Sequence, residues 1–212
     1  MNAVIGKALI ETLEMVFIST IGSLILGFIP AIILTVTAKD GLNPNKVIYT
    51  ILDLIINVLR SFPVIILMVA IIPLTKFIAG KSIGTEAAIV PLTVAAAPFV
   101  ARIIESSLRE VDKGVIEAAK SFGASNTQII FRVMLKEAIP SIMSGITLTI
   151  ISIVGYSAMA GTIGGGGLGQ VAISYGYQRF QTDYMVVTCI VLIIVVQGLQ
   201  ILGNYLYNKL SK

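Results

Sequence analysis

Residues 117–140, EAAKSFGASNTQIIFRVMLKEAIP, form the most polar stretch of a chain that is otherwise mostly apolar. They separate two long hydrophobic runs, so they lie outside any bilayer that those runs cross. Glu117, Ala118, Ala119 and Lys120 favour a helix, Gly123 suits a sharp bend, and Ser125 or Asn126 can cap a second helix. Ile129, Ile130, Val133 and Met134 then recur at i, i+1, i+4 and i+5 and give one apolar stripe. The reading is a helix–Gly–helix elbow held flat against a membrane, a shape suited to docking on a partner.

The rest of the chain sets the class. Of 212 residues 56% are hydrophobic and only 12% charged, and the mean hydropathy is +0.96. A soluble domain is nearer 25% charged, so this composition reads as an all-α integral membrane protein. The net charge of +4 is too small to suggest a nucleic-acid partner. Histidine is absent, which removes the commonest general base and the commonest metal ligand. The single cysteine, Cys189, allows no disulfide within the chain. No cleavable signal is expected, because the first apolar run is too long for an h-region.

Five spans are expected, at about 15–37, 48–77, 86–106, 138–160 and 184–207, with the polar elbow loop at 113–137. The first covers roughly 34 Å at 1.5 Å per residue, enough for a hydrocarbon core of about 30 Å. Pro63 and Pro73 should bend the second. On that span Asp53, Asn57 and Arg60 share one face. Charges in a span face protein or water, so this stripe either lines the inner end of a pathway or packs near the cytosolic interface. Arg102, Glu105 and Arg109 share a face where the third span leaves the membrane, and are expected to pair locally and weakly. Thr182 or Asp183 is expected to cap the fifth span.

Two phosphate-type motifs fail on context. Ala79-Gly80-Lys81-Ser82 ends like a P-loop, but Thr75 stands where the motif needs glycine. Gly164, Gly166 and Gly169 spell G-x-G-x-x-G, yet a hydrophobic helix precedes them, not a strand. These glycines are expected to give tight turns and close backbone approach at the outer surface. Tyr175, Tyr177, Arg179, Phe180 and Tyr184 follow and suit a membrane interface.

Charge fixes the orientation. With the N-terminus outside, the inner segments hold Lys39, Lys46, Arg102, Arg109, Lys113, Lys120, Arg132, Lys136, Lys209 and Lys212. The outer ones hold Lys7, Lys76, Lys81 and Arg179. Ten against four favours N-out, C-in by the positive-inside rule, and puts the elbow in the cytosol.

Glu117-Ala118-Ala119, three residues, Gly123 and then an apolar helix resemble the EAA loop of bacterial ABC importer permeases. In that family the elbow couples to an ATPase subunit. The family's Ile and Leu positions fall on Val133 and Leu135. Its Pro falls on Lys136, a departure, with Pro140 one turn later, so the bend is expected to shift by four residues. GYSAMAGTIGGGGLGQ (155–170) with ISYGYQRF (173–180), Ala88–Thr93 and Ala97-Pro98-Phe99 resemble methionine-uptake permeases, and Arg60-Ser61-Phe62-Pro63 resembles a stretch of amino-acid permeases.

That resemblance covers nearly the whole chain from Met15. It implies an importer permease for methionine, D-methionine or related thioether amino acids, in the inner membrane of a bacterium. It implies a homodimer, two cytosolic ABC ATPase subunits that carry ATP and Mg, and an extracytoplasmic substrate-binding lipoprotein. The chain itself would then be no enzyme and hold no cofactor. Tyr156, Ser157 and Met159 are the candidates for lining the path, although Tyr156 and Met159 could equally pack helix on helix. Another amino acid, cystine or a methionine dipeptide remains open as substrate. A secondary transporter would need an acidic relay, for which only Asp53 is present.

Overall fold

A computed structural model describes residues 1–211; Lys212, one of the inner-side charges, lies outside the described residues. Among them every regular element is helical. Four helical stretches are long and apolar enough to cross a membrane: Asn2–Thr37, Thr85–Arg109, Asn126–Thr162 and Thr182–Leu210. A bent pair, Lys46–Ser61 with Val64–Ala70, makes a fifth if it is counted as one span. The all-helical expectation therefore stands, while the second span is not the single helix that its composition suggested.

Helix α1 (Asn2–Thr37) is continuous through Pro30 and absorbs the polar lead-in. Several of its buried hydroxyls turn back on its own backbone: Thr20 donates to the Val16 carbonyl at 2.7 Å and Thr35 to Ala31 at 2.9 Å, while Ser19 reaches the Ile89 carbonyl at 3.3 Å. Such i−4 bonds let threonine sit in an apolar helix without an unpaired donor. Helix α2 (Lys46–Ser61) starts at Asn45, whose side chain accepts from the Val47 and Ile48 amides, both at 3.1 Å.

The second run breaks at Phe62-Pro63. Proline drives the preceding residue out of the helical region, and Phe62 has φ −70° and ψ 129°. Helix α3 (Val64–Ala70) leaves at 102° to α2. A second break falls at Ile71, which leaves Pro73 in the first turn of α4 (Ile72–Ala79), where it costs no hydrogen bond. Gly80, at φ 70°, caps α4, so Ala79-Gly80-Lys81-Ser82 is a helix end and turn.

Helix α5 (Thr85–Arg109) is the centre of the bundle and α1 packs along its length. The two approach closely because Gly27 faces α5. A Cβ there would lie 2.7 Å from the Ala97 carbonyl oxygen and 2.9 Å from Val100 Cβ. After the elbow, α8 (Leu135–Thr162) runs unbroken through Pro140. Pro140 therefore does not interrupt the helix. The irregularity lies upstream, in a π-helical turn at Ile129–Met134. A wide π turn inserts about one residue per turn and so reorients the stripe.

Helix α9 (Gly167–Val171) folds back on α8 so tightly that a Cβ at Gly161 or Gly169 would overlap the facing backbone, as the glycine-rich stretch suggested. A second π turn, Ala172–Tyr177, leads to α10 (Thr182–Leu210). Gln181 is the residue before α10 and no side chain caps it, so neither Thr182 nor Asp183 does so. Only Thr188 and Gly203 of α10 are buried. Its aliphatic surface faces outward, as a lipid-facing helix requires.

The α1–α5 contact should be the most sensitive to volume. Gly27→Val is expected to lower stability by about 1–3 kcal/mol, the usual cost of overpacking. Gly6→Ala, where a Cβ meets nothing within 4 Å, should change it by less than about 0.5 kcal/mol. Thermal unfolding in detergent compares the two, and equal losses would mean that α1 does not depend on this approach.

Candidate functional site

The elbow forms from the residues that the sequence singled out. Helix α6 (Lys113–Ser121) begins at Asp112, whose carboxylate accepts from the Gly114 amide at 2.6 Å and the Val115 amide at 3.3 Å. It ends at Phe122 and Gly123. Gly123 has φ 79°, a left-handed conformation that L side chains rarely adopt. The Gly123 amide donates to Lys120 O at 2.9 Å and the Ala124 amide to Ala119 O at 3.1 Å, which closes the helix end. A Cβ at Gly123 would meet nothing within 4 Å. The glycine is required by backbone conformation and not by crowding.

Ser125, not Asn126, caps the next element. Its hydroxyl accepts from the Gln128 amide at 3.3 Å, and the Gln128 side chain accepts from the Ser125 amide at 2.8 Å, a capping box. The single turn α7 (Asn126–Gln128) then runs into the π turn. Ile129, Ile130 and Met134 of the expected stripe are buried against Val100, Ile104 and Leu108 of α5. Ile116, Ala119 and Ala124 pack on the same cluster, so the elbow is fixed to the end of the bundle. Glu117, Ala118 and Gly123 point outward. Phe122, which the sequence reading passed over, is 91% exposed beside them.

The polar stripe is divided. Arg102 of α5 donates to Asp53 Oδ1 at 2.6 Å and to Asn57 Oδ1 at 3.1 Å, and Asn57 donates to Asp53 Oδ2 at 3.0 Å. Arg60 stands apart, over the Phe99 ring at 6.0 Å. Arg102 also pairs with Glu105 at 2.7 Å, and Tyr49 donates to the other Glu105 oxygen at 3.3 Å. The Glu105 side chain is only 3% exposed, so this is no weak surface pair. Arg109 continues the chain to Glu105 at 3.6 Å and to Asp40 at 3.3 Å, and Lys113 of α6 reaches Asp40 at 3.5 Å. One ionic chain thus links α2 to the elbow.

In that chain a backbone hydrogen bond, with Arg109 and Lys113 beside it, outweighs desolvation and holds the Asp40 carboxyl below its usual pKa. Its pairs are fully formed at neutral pH and weaken as pH falls through that lowered value. The sequence placed Arg102, Glu105 and Arg109 on one face but gave no sign of Tyr49, Asp53 and Asp40 as their partners.

On α8, Tyr156 is half-buried and packs against Met15, Met68 and Leu92. Met159, one turn on, is 45% exposed. Ser157 is buried and its hydroxyl donates to the Val154 carbonyl at 2.7 Å, so that hydroxyl is already satisfied. Nearby, Glu11 and Thr12 of α1 accept from the Gly167 and Leu168 amides at 2.8 and 2.9 Å. These contacts pin the glycine-rich loop, and no spacing in the sequence connects residues so far apart. No cluster of metal-ligating side chains is found among the described residues.

Removing Glu105 should be costly because it leaves Arg102 without a buried partner. Glu105→Ala is expected to destabilise the chain by roughly 3 kcal/mol or more, while Asp53→Asn, whose side chain is 31% exposed and which keeps an oxygen for Arg102, should cost less, about 1 kcal/mol. Thermal unfolding reads both, and equal losses would remove Glu105 from the centre of the network.

A family model described as "Binding-protein-dependent transport system inner membrane component" matches residues 23–212. A Vibrio cholerae protein named a probable D-methionine transport system permease is 50% identical over 201 residues, 95% of this chain and 89% of its own. A Bacillus subtilis methionine import system permease is 43% identical over 180 residues, 85% of this chain and 81% of its own. A chain of the MetNI methionine ABC transporter, crystallised in an inward-facing conformation, superposes with TM-score 0.98 at 40% identity and covers 100% of this chain and 98% of its own. With a family match over nearly its whole length, this multi-pass helical membrane protein belongs to the inner-membrane components of binding-protein-dependent transport systems.

Proposed function

We infer that this chain is the permease subunit of an ATP-driven importer of methionine. The observation that carries this is the superposition of the whole chain on a methionine transporter permease at 40% identity. The chain performs no chemistry of its own. ATP and Mg belong to two ATPase subunits in the cytosol, and a substrate-binding lipoprotein delivers methionine from outside.

The elbow carries the coupling. Its exposed Glu117, Ala118 and Phe122 form the face that enters the ATPase, while Ile116 and Ala119 fix it to α5. A rigid body with a partner on one side and the bundle on the other transmits a displacement without absorbing it. Two copies form the path between them, each with five spans when α2 and α3 count as one. Tyr156 and Met159 border the path. The exposed Met159 thioether is polarizable and suits a thioether substrate. An importer path should be largely apolar, since tight binding at every stage would trap the substrate, and the lipoprotein then supplies most of the selectivity.

Labelled methionine uptake, in vesicles holding the permease, its ATPase and its binding protein, tests the reading. Accumulation that needs ATP is expected, and it should be abolished by Glu117→Lys and by Gly123→Val with the chain still inserted. Accumulation of cystine or a methionine dipeptide in place of methionine would overturn the substrate, and transport without ATPase would overturn the class.

The orientation is N-out and C-in, with the elbow in the cytosol. In a Cys189→Ala background, Lys7→Cys and Lys81→Cys should react with an impermeant thiol reagent added to sealed cells. Lys120→Cys should not, and its labelling would reverse the topology.

A further inference from the structure

Between α1 and the base of α8 runs a groove of about 660 Å³. Leu24, Phe28, Ile29, Phe131, Leu135 and Ile142 form most of its wall, and Lys136 is its single polar lining residue. Arg132 does not line the groove but stands four residues before Lys136, and both are exposed. Neither has a carboxylate within 4 Å among the described residues. Glu137, the nearest acid in sequence, lines a different recess with Glu110, Ser141 and Tyr207. The slot is therefore apolar along its length and positive at the end next to the elbow.

We propose that this groove holds one anionic phospholipid, an acyl chain lying against α1 and α8 and the headgroup phosphate on Arg132 and Lys136. The walls belong to three of the apolar, span-length stretches, α1, the stretch that includes α8 and, through Ile104, α5, which suits a slot open to lipid. An acyl chain can fill it without losing a hydrogen bond. A phosphate matches a guanidinium and an ammonium one turn apart, and it neutralises two cations that have no protein partner. A second copy of the chain fits worse. A two-fold contact here would bring Arg132 and Lys136 of the two copies together with no acid between them. The bound lipid would bridge α1 to the helix that leaves the elbow.

Native mass spectrometry of the full chain tests this, with equal amounts of phosphatidylglycerol and phosphatidylcholine of identical acyl chains. Preferential retention of one phosphatidylglycerol per chain is expected. Arg132→Gln with Lys136→Gln should weaken that retention roughly fivefold per charge removed and lower phosphatidylcholine retention less, so that the preference is lost. Lys209→Gln should leave both unchanged. Ile29→Phe, which fills the slot without altering charge, should lower retention of both lipids, and inorganic phosphate should displace neither. Equal retention of the two lipids, or an undiminished preference in the double variant, overturns the proposal. So does a disulfide between copies through Ile139→Cys in a Cys189→Ala background, because the groove would then be a protein interface.

Discussion

Inside a hydrocarbon layer the backbone has no water to bond with, so every N–H and C=O must find its partner within the segment or against neighbouring protein. That constraint makes the crossing segments helical, and most other features follow from handling its exceptions. The Thr20, Thr35 and Thr149 hydroxyls return to i−4 carbonyls. The two π turns lie where the long helices begin or leave the bundle. The loop at Gly166–Leu168, where backbone amides point inward without a helical partner, is closed by Gln170 from within and by Glu11 and Thr12 of α1.

Helix association needs a different driving force, because lipid is as apolar as leucine. The close contacts accordingly occur where a side chain is missing. Gly27 admits α5 to α1, Gly161 and Gly169 join α8 to α9, and Gly203 admits Thr147 to α10. Polar contacts supply the remainder, and they are concentrated at one end. Arg102 and Glu105 hold α2 to α5, and Arg109, Asp40 and Lys113 extend the same chain to α6. The elbow is thus fixed by apolar packing beneath it and by ions beside it. Held on both sides, the segment is fixed to the end of the bundle as one body.

Residues that share an element were legible in the sequence. The elbow, its Gly123 turn and most of the apolar stripe came from spacing and capping preferences, which act over a few residues. Ser125 and Asn126 were both admissible caps, and only the Gln128 side chain, reaching back to the Ser125 amide, separates them. The single second span failed for a related reason. Hydropathy over 48–77 is uninterrupted, but Pro63 acts on the conformation of Phe62, and composition does not reveal whether the result is a bend or a break of 102°.

The amino-acid sequence by itself determined the class, four of the long apolar helices, the polar elbow and the charge bias of its loops. These depend on transfer of residues into lipid and on local hydrogen bonding, which a linear pattern records. The tertiary structure alone decided which charges meet. Asp53 and Arg102 are far apart in the chain, and so are Glu11 and Gly167, yet each pair lies within hydrogen-bond distance. It also turned Ser157 to its own backbone and left Met159 at the surface. Periodicity places residues on a helix face but does not say which neighbour that face meets, because helix packing is fixed by glycine gaps and side-chain fit between distant segments.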